Sequence, residues 1–173
     1  MLGKIKKRWK MILSTILIVI LMILSFFITY PLVSPKEPNR IPRKSSYEYN
    51  DYLFYRTELV KYPMSGQSVR VNNSNFTLGF AGQTYELHFG KIPLNSSTTK
   101  ILNMSSKKDV KIKTYKFGNI SNSIIVDKEF WLSGEKELKV KFEPEYSGNF
   151  TGVLMIRSII PNNVLSKTFL KWL

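Results

Sequence analysis

The sequence predicts an all-β fold, an antiparallel β-sandwich, held behind a single N-terminal transmembrane α-helix. Three observations predict it. From about Ser68 onward apolar and polar residues alternate with period two, broken by Asn, Ser, Gly and Pro, and no apolar stripe of helical period is long enough for a crossover helix. Ahead of that region, Met11 to Ile28 is an uncharged apolar run long enough to cross a hydrocarbon core of about 30 Å. The 173 residues also include no Cys and one His, which removes disulfide frameworks, thiolate metal sites, cysteine nucleophiles and multi-histidine centres.

The elements follow in order. Residues 1–10 form a basic segment in which Lys4, Lys6, Lys7, Arg8 and Lys10 precede the apolar run, so the positive-inside rule places the N-terminus in the cytoplasm and the remainder outside. Residues 11–33 hold the transmembrane helix. Trp9 and Tyr30 flank it as interfacial anchors, and the 21 residue steps from one to the other span about 31 Å at 1.5 Å each. The run ends without an Ala-x-Ala-like cleavage site, which predicts an uncleaved signal-anchor.

Residues 34–67 are predicted to be an extracytoplasmic stalk and aromatic segment. The stretch 34–46 is rich in proline and basic residues and favours an extended, solvated spacer. Tyr47–Tyr55 is dense in aromatics that a neighbouring folded domain would bury. Residues 68–173 are the sandwich.

Within the sandwich the clearest strand is Glu135–Phe142, where Leu138, Val140 and Phe142 share one face and Glu137, Lys139 and Lys141 the other. Strands are also expected at Ser68–Val71, Phe76–Phe80, Tyr85–Phe89, Thr98–Met104, Val110–Phe117, Ser123–Val126, Phe150–Ile160 and Lys167–Trp172. The expected core is Leu87, Phe89, Leu102, Met104, Ile112, Leu138, Val140, Phe142, Leu154 and Ile156. Each such side chain, fully buried, contributes about 1.5–3 kcal/mol before entropy is counted.

Two segments carry a resemblance. Leu87–Lys100 (LHFGKIPLNSSTTK) followed by Leu102 and Met104, and Val140–Ile156 (VKFEPEYSGNFTGVLMI), resemble the opening strands and closing hairpin of the abnormal-spindle, hydin and major-sperm-protein group of immunoglobulin-like domains, covering about residues 76–173. The resemblance implies an immunoglobulin-like β-sandwich and a non-catalytic binding or scaffolding module.

Candidate chemistry is sparse. His88 has no Gly-x-Ser-x-Gly elbow to pair with, Glu143 and Glu145 flank Pro144 at a turn, and no phosphate-cradling glycine loop is present. No catalytic residue, cofactor, metal or small-molecule substrate is assigned, and the extracytoplasmic topology disfavours nucleic acid. Of the 26 Lys and Arg, 15 follow Tyr62 against 8 Asp and Glu, so the excess of positive charge extends into the domain. Lys107, Lys108, Lys111, Lys113 and Lys116 crowd one region and are the candidate partner-binding residues, for an acidic wall polymer, anionic glycan, lipid headgroups or an acidic protein. Asn72, Asn75, Asn95, Asn103, Asn119 and Asn149 head glycosylation sequons. The composition is compatible with an archaeal envelope protein.

The expected function is a single-pass, membrane-anchored module of the cell envelope that contacts a surface-layer, filament or membrane-complex partner. The rival expectation is an extracytoplasmic enzyme or ligand-binding subunit with a pocket near the aromatic segment.

Overall fold

The computed structural model describes residues 2–29, 33–52, 54–70 and 86–172. The first element is helix α1, Leu2–Thr29, whose Leu, Met and Lys content favours the helical state. Its described apolar side chains from Met11 to Ile23 are all between 48% and 69% exposed, so the rest of the chain leaves them uncovered. Among the described residues no helix is long and apolar enough to cross a membrane. The described side chains of α1 run without a break only over residues 11–23, short of the roughly 20 a crossing needs. The transmembrane span expected from the sequence is therefore not supported by the described part of α1. The side chains of Lys4, Lys6, Lys7, Arg8 and Lys10, and Tyr30, lie outside the described residues, and Trp9 is 63% exposed.

The body is mostly antiparallel β-sheet arranged like a sandwich. Its strands are β1 (Ser46–Asp51), β2 (Tyr55–Val69), β3 (Leu87–Pro93), β4 (Thr98–Gly118), β5 (Ile124–Ile125), β6 (Glu129–Phe142) and β7 (Gly148–Pro161), and helix α2 (Val164–Trp172) is the last described element. The sheet order is β1-β2-β7-β4-β6-β5, with β3 added parallel to β2 beyond the reach of β1. The first half of β4 pairs with β6 over Thr98–Ser106, and the second pairs with β7 over Lys111–Gly118. β4 thus belongs to both layers. The passage between them is a bulge in which Ser106 faces Gly134 and Val110 faces Leu132, leaving Lys107, Lys108 and Asp109 outside the ladder. Gly134 takes φ +77° there, a backbone state that L side chains rarely adopt.

The two layers close over one core. Met64, Leu87, Phe89, Ile112, Leu138, Val140, Phe142, Phe150, Leu154 and Ile156 are among its buried members, with Leu102 and Met104 partly buried against it. The Phe142 ring stands 5.2 Å from Phe89 and 5.3 Å edge-on from Phe150. It occupies the space over Gly66, where an added Cβ would lie 2.7 Å from the ring. All ten residues expected in the core are thus buried or packed on it.

The opposite face of β2 and β7 carries a smaller core, Tyr55, Ile159 and Leu170, with Phe54 and Trp131 packed beside it. Helix α2 supplies Leu170 to it. Here the sequence reading needs correcting, because Lys167–Trp172 is helical rather than a strand. Asn163 and Ser166 form reciprocal bonds, Ser166 N to Asn163 Oδ1 at 2.8 Å and Asn163 N to Ser166 Oγ at 3.1 Å, and this cap starts the helix.

Other expectations shift as well. The sheet begins at Ser46, and β2, all but its last two residues within the segment read as stalk and aromatic segment, lies between β1 and β7. The two strands expected at Thr98–Met104 and Val110–Phe117 are one bulged strand. β6 and β7 are not paired with each other; both pair with β4, so residues 143–147 cross between layers instead of closing a hairpin. The strand expected at Phe76–Phe80, with Asn72 and Asn75, lies outside the described residues.

Candidate functional site

The lysine cluster divides by its register on β4. Lys111 is 4% exposed; its Nζ lies 2.7 Å from Glu129 Oε1 and donates to the Leu170 carbonyl of α2 at 3.1 Å. A cation at the last carbonyls of a helix also meets the negative end of its dipole. Lys113 Nζ is 3.3 Å from Glu129 Oε2. Partial burial alone would push the Glu129 carboxyl up, but the bond from Lys111 and the charge of Lys113 bring it below its ordinary value. Lys116 donates to the Ile124 carbonyl at 2.6 Å, and desolvation, with Lys128 nearby, lowers its pKa. Lys107 and Lys108 are exposed in the bulge. The five lysines therefore do not form one open surface. Three of them bond within the fold, a distinction that alternation along the strand does not encode.

A surface that the sequence reading missed lies on the outer face of β2, β4 and β7. The segment after α1 crosses this face: the Arg157 guanidinium donates to the Val33 carbonyl, and the Arg157 head lies 5.8 Å from the centre of the Tyr115 ring. Two clefts flank the crossing. One, about 410 Å³, is lined by Ser34 with Lys113, Tyr115, Lys116, Lys128 and Glu129. The other, about 250 Å³, is lined by Lys36, Glu48, Asn50, Lys61, Met155 and Arg157 among others. Arg157 and the prolines at 35 and 38 were the available signal, but only the fold brings them together.

The aromatic segment splits between these surroundings. Tyr55 is fully buried beneath α2, Tyr52 lines the smaller cleft, and Tyr47 and Tyr49 are 58% and 61% exposed on β1. The Tyr47 hydroxyl is pushed up by desolvation and by Glu58. The cleft beside the segment contains the Glu48–Lys61 ion pair and does not include His88.

His88 lies elsewhere, on β3, with its Nδ1 2.7 Å from Ser65 Oγ of β2. The two are register partners on adjacent strands, and among the described residues no carboxylate partners this imidazole. Glu143 is held by Lys141 at 2.7 Å, and Glu145 is exposed in the layer crossing.

Of the sequons, Asn95, Asn103 and Asn149 are exposed. Asn119 is also exposed, but its side chain is engaged: Oδ1 accepts from Thr151 N at 2.7 Å and Nδ2 donates to the Asn149 carbonyl at 3.2 Å. It acts as a clamp at the end of β4.

Comparison with protein-family models, with curated proteins and with solved structures finds no match for this chain.

Proposed function

We propose that the protein is a non-catalytic binding or scaffolding module of the cell envelope, carried outside the membrane by α1 as a single-pass anchor. The observation that carries this reading is the uncovered apolar surface of α1, 48–69% exposed along Met11–Ile23. In the sequence the uncharged run continues from there to Ile28, which brings it to spanning length. The five basic residues before it orient the N-terminus to the cytoplasm. The sandwich-like antiparallel β-sheet supports a module that recognises protein or envelope polymer through sheet edges and faces.

The test is fractionation of the full-length chain expressed in membranes, with alkaline extraction and external protease. The chain stays in the pellet, and protease removes the β-domain only from the extracytoplasmic side. Ile16→Arg combined with Ile20→Arg releases it, because each charge at a helix centre costs about 2.5–3.5 kcal/mol on insertion. Quantitative alkaline release of the unaltered chain overturns the anchor.

A further inference from the structure

We infer that the face of the sheet crossed by residues 33–38 docks on anionic lipid headgroups, so that the β-domain lies down on the membrane instead of standing off on a stalk. The inference rests on the anchor reading above and adds an orientation and a ligand chemistry to it.

The first argument is reach. α1 ends at Thr29, and Val33 is already bonded to Arg157 on the sheet. Four residue steps extend at most about 14 Å. The polar layer of a bilayer is about 5–8 Å deep on each side. If the uncharged run ends at the edge of the hydrocarbon, the Arg157 face lies within about 10 Å of the headgroups, close to the Debye length at physiological ionic strength. A free spacer over 34–46 would have permitted any orientation; a segment attached to the sheet at Val33 does not.

The second argument is charge. The two clefts beside the crossing are lined by six cations, Lys36, Lys61, Lys113, Lys116, Lys128 and Arg157, against two carboxylates, Glu48 and Glu129. The crossing segment itself carries Glu37 beside Lys36 and continues with Arg40, Arg43 and Lys44, all exposed. The far side of the molecule differs. There the outward residues of the β4–β6 ladder are Lys139 and Lys141 against Glu135 and Glu137, paired across from Ile101, Asn103, Ser105 and Thr99, with no excess of either sign. The molecule thus presents an electropositive face on the side tied to α1 and a balanced one opposite. Anionic headgroups attract basic residues held near the surface, and the attraction fades within a Debye length.

The test uses the full-length chain, which has no native cysteine to interfere with labelling. Asn50→Cys places a fluorophore on the basic side and Asn103→Cys places one on the far side; both positions are exposed. The protein is reconstituted in vesicles of phosphatidylcholine alone, or with about 30 mol% phosphatidylglycerol, each with a headgroup-located nitroxide quencher. Quenching at position 50 is expected to rise about threefold in the anionic vesicles, and to return to the neutral level in Lys36→Glu/Lys128→Glu or in about 1 M salt. Position 103 stays unquenched in both. Equal quenching at 50 in the two lipids, or at 50 and 103, overturns the docking. So does protection of position 50 that grows with protein concentration in neutral vesicles, which identifies a second copy as the occupant. Vesicle flotation separates the two readings: a chain that fails to float with either lipid sinks the anchor, whereas a chain that floats without quenching at 50 sinks the docking alone.

Discussion

At the residue scale, the decisive groups are polar atoms placed where water does not reach. The Tyr55 hydroxyl is buried and has no hydrogen-bond partner among the described residues. A buried unsatisfied hydroxyl costs on the order of 1–3 kcal/mol. Tyr55→Phe keeps the ring and removes that group, so a denaturant melt is expected to show unchanged or higher stability; a clear loss would mean that the hydroxyl has a partner in solution. Lys111 is the opposite case, a buried cation with both its partners in place. Lys111→Met removes a charged hydrogen bond and is expected to cost about 1–3 kcal/mol. It also has a titration signature. Glu129 is held below its ordinary value of 4.5 in the folded chain. Its favourable contribution is therefore fully present above that value and is lost as pH falls through the depressed folded value. In Lys111→Met the Glu129 carboxyl titrates at higher pH by NMR; an unmoved titration would show that Lys113 alone holds it.

At the element scale, close approach and capping set what each segment becomes. Gly118 and Gly152 face each other in the β4–β7 ladder, and a Cβ on Gly152 would stand 2.1 Å from the Phe117 carbonyl oxygen. Because the obstacle is backbone, it cannot swing away. Gly152→Ala is expected to destabilise by at least about 1–3 kcal/mol in chemical denaturation, and a neutral result would show that the two strands separate freely there. The cap of α2 yields to a milder change, with Asn163→Ala costing about 0.5–2 kcal/mol and loosening the α2 amides in hydrogen exchange. These elements also show what the sequence made legible. Glu137–Phe142 alternates because one face meets the core and the other meets water, and that stretch was readable residue by residue. β2 was not, since Leu59, Val60, Lys61 and Tyr62 are half-buried on both faces and the period-two signal vanishes. α2 read as a strand because Phe169, Leu170 and Trp172 in nine residues resemble a short apolar strand, whereas the Asn163–Ser166 cap is a weaker signal than hydrophobicity. The separation of Lys111 from Lys108 needed the bulge and the helix end, neither of which a linear pattern carries.

At the scale of the whole molecule, the distribution of burial says which parts depend on one another. Every buried apolar residue among those described falls between Tyr55 and Leu170, and none belongs to α1. Its described residues contribute exposed surface and no core, so their removal deletes no packing from the sandwich. A chain starting at Val33 keeps the carbonyl that Arg157 bonds and every residue of both hydrophobic clusters. It is therefore expected to fold by itself, with a thermal midpoint within about 4 °C of the β-domain transition of the intact protein in detergent, a shift corresponding to less than about 1 kcal/mol for a domain of this size. Circular dichroism melts of the two forms make the comparison. A truncated chain that stays unfolded, or melts far lower, would show that α1 packs on the sheet in solution, and the exposed apolar stripe from Met11 to Ile23 would then be an intramolecular surface instead of one turned towards lipid.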